Sequence, residues 1–284
     1  MAATQKLQQN IAARQMVAIL GPVAGLWRHH HLVWQLVRRD VLSRYRGLGM
    51  GMAWSVVNPL VMLLVYTFVF SGIMKSRWPG TKEDSSSEFA IMLLAGYVVY
   101  SLFSECVSRS PTLVLGHANF VKKVIFPLEI LPWVTMGTAI FNAATTLLVL
   151  LLGIWYVQGS VPVTALLFPL VIVPLIFTTI GLSSFLSATG VFYRDIGNVV
   201  SIALTILMFL SPIFYPLTAV PEAYRGWLSL NPLAYVIEDA RKVLIRGQGI
   251  QWEWWAIQFL VSYILALLGQ WWFQKTRKGF ADVL

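Results

Sequence analysis

Four arginines that precede the first long apolar stretch are the side chains best suited to bind a ligand. They lie with a tyrosine in the segment RRDVLSRYRG, and the five residues are Arg38, Arg39, Arg44, Tyr45 and Arg46. A guanidinium group binds phosphate oxygens through two parallel hydrogen bonds, so this cluster could hold a phosphate group carried by a substrate. The same arginines could equally bind the headgroups of ordinary anionic lipids.

The sequence lacks the motifs of the common ATPases and hydrolases. No GxxxxGK[ST] phosphate loop occurs, and no glycine is followed by lysine, so the chain is not itself a P-loop ATPase. The single cysteine, Cys106, can form neither an internal disulfide nor a cysteine-based metal site. We therefore expect a protein that is not an enzyme, with no catalytic residues and no metal or cofactor bound by this chain.

The composition indicates a membrane protein. Hydrophobic residues make up 57% of the 284 residues and charged residues only 12%, which is too apolar a balance for a soluble domain. A helix of about 20 residues crosses the hydrocarbon layer of a bilayer. Apolar stretches of this length predict an all-α membrane protein with six transmembrane helices, at about residues 52–74, 89–115, 134–157, 163–192, 196–214 and 254–274.

The basic residues predict the orientation of these spans. With six spans both termini lie on one side of the membrane, and that side carries 14 of the 21 lysines and arginines. The other side carries 7 basic residues against 7 acidic ones. The positive-inside rule therefore predicts a multi-pass protein of the bacterial inner membrane with both termini in the cytoplasm. Because topology accounts for the net charge of +9, no nucleic-acid partner is expected.

The segment before the first span has the pattern of an amphipathic helix. Within residues 32–46, the side chains of Trp34, Val37, Val41 and Tyr45 recur at spacings of 3 and 4 and share one helical face. Most of the basic residues lie on the opposite face. Such a helix is expected to lie in the cytoplasmic membrane interface, and an ordinary basic lipid anchor is the plain alternative.

The connection between the fifth and sixth spans stays largely apolar over residues 211–249. Asn231 can cap a helix that begins at Pro232, and Gly247 marks its end. The apolar stripe of this helix is Leu233, Val236, Ile237, Ala240 and Leu244. Glu238 and Lys242 stand four residues apart on the other side. We expect re-entrant or interfacial helices between spans five and six.

One pair of charges falls inside a predicted span. Glu105 and Arg109 stand four residues apart with the acid first, which is the favourable order for an ion pair within a helix. An ionisable residue in a span is a candidate functional group, but this pair falls near the cytoplasmic end, where Arg109 can reach the interface. A structural role is therefore the first expectation.

The loop between the second and third spans carries aromatic and basic side chains ahead of two prolines. These residues are Asn119, Phe120, Lys122 and Lys123. A short helix here could insert into a soluble partner, or the two lysines could simply follow the positive-inside rule.

Several segments together resemble a known family. RRDVLSRYRGLGMGMAWSVVNPL, FVKKVIFPLEILP, YRDIGNVV, SPIFYP and NPLAYVIEDARKVL are similar to segments of the permease subunits of polysaccharide ABC exporters, the type 2 exporters of O-antigen, capsule and teichoic acid. Their order and spacing match from about residue 32 to the C-terminus. The resemblance implies one transmembrane domain over 32–284, preceded by a cytoplasmic segment, 1–31.

The resemblance also implies partners and roles. A homodimer would form a channel in contact with membrane lipids, and two separate ABC ATPase subunits would hold ATP and Mg. The substrate would be a polysaccharide on undecaprenyl diphosphate, with O-antigen as the first candidate. Residues 32–46 would form a gate helix where the lipid enters, with Arg38, Arg39, Arg44, Tyr45 and Arg46. Residues 117–125 would form the coupling helix, with Asn119, Phe120, Lys122 and Lys123.

Aromatic side chains suit a channel for sugars, because sugar rings pack their C–H faces against aromatic rings. The candidates are Trp54, Tyr66, Phe70, Phe209, Phe214 and Tyr215. Each of these could instead be an ordinary core or lipid-facing residue. Two other functions stay open on the sequence: a type 2 ABC permease for a drug or small lipid, and a membrane-embedded enzyme of envelope synthesis.

Overall fold

The computed structural model describes residues 21–47, 49–73, 78, 86–117, 126–229 and 231–283. All regular secondary structure within these ranges is helical, which confirms the all-α fold. The apolar composition favours helices, because a helix satisfies its backbone hydrogen bonds within one membrane-crossing segment.

The described residues form twelve α-helices. They are α1 Gly21–Arg28, α2 His30–Tyr45, α3 Trp54–Thr67, α4 Ser86–Leu113, α5 Leu131–Gln158, α6 Phe168–Val171, α7 Val173–Phe192, α8 Ile196–Leu210, α9 Glu222–Ser229, α10 Pro232–Leu244, α11 Trp252–Thr276 and α12 Phe280–Val283. Short 3-10 turns lead into α3, α5 and α6, and α3 continues as a π-helical turn, Phe68–Ile73.

Among the residues that the structure describes, four helical segments are long and apolar enough to cross a membrane: Ser87–Leu113, Leu128–Gln158, Val163–Phe192 and Trp252–Gly279. They coincide with the second, third, fourth and sixth predicted spans. The first and fifth predicted spans fall on shorter apolar helices, Gly51–Thr67 and Ile196–Leu210.

Prolines explain where the observed helices depart from the predicted bounds. Helix α8, which carries the fifth predicted span, ends at Leu210 rather than 214, because Ser211 precedes Pro212 and is extended, with φ −87° and ψ 145°. The third candidate span begins near Leu128 rather than 134, because Pro132 sits in the first turn of α5, where its missing N–H costs nothing.

Helix α4 lies at the centre of the bundle. Within its candidate span 72% of the most apolar window is buried, against 22% for those of α5 and α11. Helices α5, α7, α8 and α10 pack around it. Its uninterrupted apolar face, from Phe89 to Val107, supplies much of the main hydrophobic core.

Helices α7 and α11 make the closest helix pair in the bundle. A Cβ atom at Gly269 would overlap the backbone carbonyl of Gly181, so the two backbones touch at this crossing. Nearby, the Thr178 hydroxyl donates to Ser262 Oγ at 2.9 Å. Small residues of this kind let membrane helices approach closely and gain packing energy.

We expect Gly269→Val to destabilise the protein by about 1–3 kcal/mol, because the new side chain must push α7 and α11 apart. Thermal unfolding in detergent would show the loss as a lower Tm. Gly116→Val is the matched control, since a Cβ at Gly116 meets nothing within 4 Å. An unchanged Tm in the Gly269 variant would contradict the tight crossing.

The bundle has two ends. We call the end that carries α2 proximal and the end that carries α10 distal. At the proximal end α2 packs beside the C-terminal part of α4 and the N-terminal part of α5. The C-terminal segment reaches this end too, where Arg277 Nη1 lies 2.8 Å from Glu129 Oε2. At the distal end α10 packs against the N-terminal part of α4.

Helix α10 begins as the sequence predicts. The Asn231 side chain accepts a hydrogen bond from the Leu233 N–H at 3.0 Å, and Pro232 occupies the first turn. The helix ends at Leu244, and Gly247 follows with a φ of +68°. All five residues of the predicted apolar stripe are buried. The stripe therefore seats α10 on the bundle.

Glu238 and Lys242, which stand four residues apart on α10, do not pair with each other. Glu238 Oε1 pairs with Arg241 Nη1 at 2.9 Å, while Lys242 Nζ pairs with Asp239 Oδ1 at 2.8 Å. The cause is Arg241, which lies on the buried side of α10 with an exposed fraction of 0% and draws Glu238 toward it. An isolated charge cannot be buried without such partners.

Candidate functional site

Helix α2 packs along α5 through one buried face. Val33, Val37, Val41 and Tyr45 are buried on this face, and Val37 fits against Gly137, where a Cβ atom would overlap its methyl groups. The prediction for Val37, Val41 and Tyr45 is confirmed. Trp34 was wrongly assigned to this face, since its side chain is 69% exposed. The buried residues recur every four positions, so the residue that precedes Val37 on this face is Val33 and not Trp34.

An ion pair holds α2 to α4. Arg109 donates from Nη1 to Asp40 Oδ2 at 3.0 Å and from Nη2 to Asp40 Oδ1 at 3.1 Å. The Thr138 hydroxyl on α5 donates to Asp40 Oδ2 at 2.9 Å. Asp40 thus joins three helices. Burial acts to raise the pKa of this carboxyl, but the hydrogen bonds and charge of Arg109 outweigh it and hold the pKa below its usual value.

A second network lies one turn further along α2. Arg44 Nη1 pairs with Glu105 Oε1 at 2.5 Å, and Asn142 Nδ2 donates to both oxygens of Glu105 at 2.9 Å. The Tyr45 hydroxyl donates to Asn142 Oδ1 at 3.0 Å. Asn142 therefore joins the carboxylate of α4 to the end of α2.

The ion pair predicted within α4 between Glu105 and Arg109 is replaced by two pairs between helices. Each of these residues binds the oppositely charged residue of α2. The sequence spacing was right for an intrahelical pair, but α2 brings Asp40 and Arg44 to the same two positions.

A cavity of about 460 Å³ opens beside this second network. Four helices line it, and the residues are Arg44, Tyr45, Trp54, Ser55, Asn58, Pro59, Tyr97, Ser101, Glu105, Asn142 and Thr146. We call this cavity the α2 pocket. It combines one guanidinium group, the carboxylate of Glu105 paired with it, several hydroxyl and amide groups and three aromatic rings. The guanidinium group suits an anionic part of a ligand, and the rings suit sugar-like surfaces.

The predicted arginine cluster is divided between this pocket and the surface. Arg44 and Tyr45 line the α2 pocket. Arg38, Arg39 and Arg46 are exposed on other faces of α2 and of the turn after it. Only part of the predicted cluster therefore converges on one cavity.

Aromatic rings lead from the α2 pocket toward the distal end. The Tyr97 ring, which lines the pocket, lies 6.4 Å from the Tyr66 ring, and Tyr66 lies 5.2 Å from Phe214. The Phe214 ring lies 5.9 Å from that of Phe209, whose carbonyl accepts a hydrogen bond from the Tyr215 hydroxyl at 3.0 Å. We call these five rings the aromatic line.

Among the residues of this site that were not selected from the sequence, Tyr97 and Asn142 matter most. Tyr97 lies within the apolar second span, where a single tyrosine does not by itself indicate a binding site. Asn142 offered a clearer signal, because an amide in the middle of an ion-free span is costly unless it is hydrogen-bonded. Burial of α4 and α5 against each other brings Asn142 to Glu105.

Some predicted residues lie outside the described part of the structure. The side chain of Phe70 is one of them. The others are the four residues of the predicted coupling helix, Asn119, Phe120, Lys122 and Lys123.

The fold is that of a multi-pass helical membrane protein. A family model described as ABC-2 type transporter matches residues 31–245, which is most of the chain and runs from α2 to the end of α10. The chain therefore belongs to the ABC-2 type transporter family. It is a transport permease and not an enzyme.

Named relatives align with nearly the whole chain. The O-antigen export system permease protein RfbA of Klebsiella pneumoniae is 25% identical over 251 residues, covering 88% of this chain and 93% of that protein. The protein of the same name from Myxococcus xanthus is 28% identical, covering 92% and 98%. The polysialic acid transport protein KpsM of Escherichia coli is 27% identical, covering 82% and 89%.

Proposed function

We propose that this chain is the channel subunit of an ATP-driven exporter that moves undecaprenyl-diphosphate-linked polysaccharide from the cytoplasm across the inner membrane, with O-antigen as the first candidate polysaccharide. The observation that carries the proposal is the α2 pocket and its continuation in the aromatic line. An arginine at one end can bind a diphosphate, and the rings beyond it can pack against the C–H faces of successive sugars.

Six spans with both termini in the cytoplasm are part of this proposal. The 3-10, α and π segments from Gly51 to Ile73 follow one another without a break and are together long enough to cross the hydrocarbon layer of about 30 Å. Helix α8 is shorter, and the turn from Ser211 to Tyr215 would complete its crossing. The proximal end, with α2 as an interfacial gate helix, would then face the cytoplasm. Helices α9 and α10 would form the re-entrant element at the periplasmic side.

In this proposal the chain acts as a homodimer, and the exposed apolar faces of α8 and of α3 with its π-helical continuation support it as the surfaces where a second copy would pack. Both helices flank the aromatic line, and their outward side chains are large and exposed in a single copy. They are Val61, Leu64, Phe68, Val199, Ile202, Ile206 and Phe209. A second copy packed there would close the channel, so that the aromatic lines of both copies face one passage.

Energy would come from two separate ABC ATPase subunits that hold ATP and Mg, with no cofactor bound by this chain. Residues 117–125, between α4 and α5, would form the coupling helix that contacts them. The expected contacts are Asn119, Phe120, Lys122 and Lys123. Exposed Arg38, Arg39 and Arg46 would bind the anionic lipids around the gate.

Deletion of the gene in its host tests the proposed function. Loss of the surface polysaccharide, with lipid-linked glycan accumulating in the cytoplasm, is the expected result. An unchanged surface together with altered drug sensitivity would assign the protein to drug or small-lipid export instead.

Tyr97→Leu is expected to slow export while leaving the fold intact, because Tyr97 joins the α2 pocket to the aromatic line and leucine keeps an apolar side chain in its place. We expect a reduction of about fivefold to tenfold, the cost of losing one aromatic packing contact of roughly 1–1.5 kcal/mol. The measurement is the amount of surface polymer at equal protein level. Phe177→Leu, in an aromatic group between α7 and α11, is the control. Equal export by both variants would remove Tyr97 from the proposed path.

A further inference from the structure

We propose that Glu105 is a built-in counter-ion that occupies Arg44 in the absence of substrate, and that the diphosphate group of an arriving lipid-linked substrate displaces it. This regulation rests on the proposed function, since it concerns the same pocket. It adds a step to substrate binding: the guanidinium group of Arg44 has to leave the Glu105 carboxylate before it binds the diphosphate.

The two ion pairs of α2 have different roles in this proposal. Asp40 with Arg109 anchors the helix, and Arg44 with Glu105 exchanges partners. Asp40 accepts two hydrogen bonds from Arg109 and a third from the Thr138 hydroxyl, so this carboxylate is bound from both α4 and α5. Arg44 Nη1 lies 2.5 Å from Glu105 Oε1, and both side chains line the α2 pocket, where a ligand could reach the guanidinium group. Arg44 can therefore leave its partner while Asp40 keeps α2 in place.

Glu105 would keep hydrogen-bond partners after Arg44 leaves. Asn142 Nδ2 is within 2.9 Å of both carboxylate oxygens. The amide is held in this orientation by the Tyr45 hydroxyl, which donates to its oxygen. A carboxylate that loses a cation but keeps an oriented amide is destabilised less than one left bare in a buried site. The exchange is thus possible without a large local rearrangement.

The competition selects for the charge of the ligand. The Arg44 side chain is 34% exposed and Glu105 is 18% exposed, so the guanidinium group is the more accessible member of the pair. A diphosphate presents more negative charge and more acceptor oxygens than one carboxylate, and it can bind a guanidinium group through two hydrogen bonds. A neutral lipid offers nothing to displace Glu105. The pair would therefore keep the pocket closed to uncharged lipids.

The test measures binding of radiolabelled farnesyl diphosphate to the complex of this chain with its ATPase subunits, in nanodiscs of phosphatidylcholine. Glu105→Gln keeps the size of the side chain and its contact with Asn142 but removes the competing charge. We expect it to tighten binding by roughly threefold to tenfold, the effect of removing one charge-assisted hydrogen bond from the competition. Arg44→Gln is expected to weaken binding.

The double variant Arg44→Gln/Glu105→Gln decides the mechanism. If Glu105 acts by occupying Arg44, Glu105→Gln has no effect once Arg44 is gone. Equal tightening in both backgrounds would overturn the proposal, and so would unchanged binding by the single Glu105 variant. Glu129→Gln is the matched control, because Glu129 is also ion-paired at the proximal end but lies outside the α2 pocket.

The same binding measurements, together with competing anions, distinguish failure of this inference from failure of the proposed function. If wild-type protein binds farnesyl diphosphate no better than Arg44→Gln, the pocket is not a diphosphate site and both proposals fail. If wild type binds and only the Glu105 effect is missing, the proposed function stands and the exchange is wrong. Stronger competition by phosphatidylglycerol or by inorganic pyrophosphate would assign Arg44 to ordinary lipid or to free diphosphate, and would overturn the substrate-driven exchange.

Discussion

Arg241→Ala is expected to lower the free energy of unfolding by about 3–5 kcal/mol, the cost of breaking a buried ion pair by removing one partner. Arg241 has an exposed fraction of 0% and binds three elements at once. Its Nε donates to the Met92 carbonyl of α4 at 3.0 Å, and its Nη2 donates at 3.0 Å to the carbonyl of Ile213, in the turn after α8.

The substitution would leave several groups of the distal end unsatisfied. Glu238 would lose its hydrogen bond of 2.9 Å and keep only Arg246 at 3.9 Å. The Trp78 ring would lose the guanidinium group that lies 4.3 Å from its centre. Because Ile213 precedes Phe214, release of this turn would also move one ring of the aromatic line.

Folded protein recovered from membranes and Tm in detergent are the measurements for this prediction. Lys242→Ala is the control, because Lys242 is the next residue of α10 and its side chain is 24% exposed, whereas Arg241 is 0% exposed, so a smaller loss of stability is expected. Arg241→Lys should rescue little, since one ammonium group cannot reach the acceptors that a planar guanidinium group reaches. A Tm equal to that of the Lys242 variant would contradict the structural role of Arg241.

Asp40→Ala is expected to release α2 from the bundle and to abolish most export. The variant loses both hydrogen bonds from Arg109 and the one from Thr138. Asp40 and Arg109 are about one third exposed, so we take about 2 kcal/mol for the loss rather than the full buried cost. That energy lowers the docked population relative to the undocked one by about thirtyfold.

The measurements are surface polymer at equal protein level and protection of a cysteine placed at Val37, which is buried against α5 when α2 is docked. Asp195→Ala is the matched control, because Asp195 is exposed at the start of α8. The exchanged pair Asp40→Arg/Arg109→Asp should restore part of the docking. Normal export and full protection in Asp40→Ala would show that α2 does not depend on this ion pair.

The spans could be predicted because the cost of exposing backbone groups to lipid acts on each segment separately. Four of the six predicted spans are matched by helices of sufficient length, and the other two fall on shorter apolar helices. The cap at Asn231 and the apolar stripe of α10 could be predicted for the same reason, since both depend on spacing along one helix.

The partners of the charged residues could not be predicted from spacing. Within one helix, Glu105 fits Arg109 and Glu238 fits Lys242, yet the structure pairs Glu105 with Arg44 and Glu238 with Arg241. A neighbouring helix, or burial of one side of the same helix, decides between such partners. Leaving a buried charge without its partner costs more than the few tenths of a kcal/mol that favour an exposed pair within one helix.

The sequence by itself therefore determined the class of the protein, the positions of its apolar segments and the basic character of α2, because these depend on composition and on local period. Tertiary structure alone decided that Arg44, Tyr97, Glu105 and Asn142 share one pocket. These residues come from three helices, and only the packing of α2 and α5 against α4 brings them within hydrogen-bond or van der Waals distance.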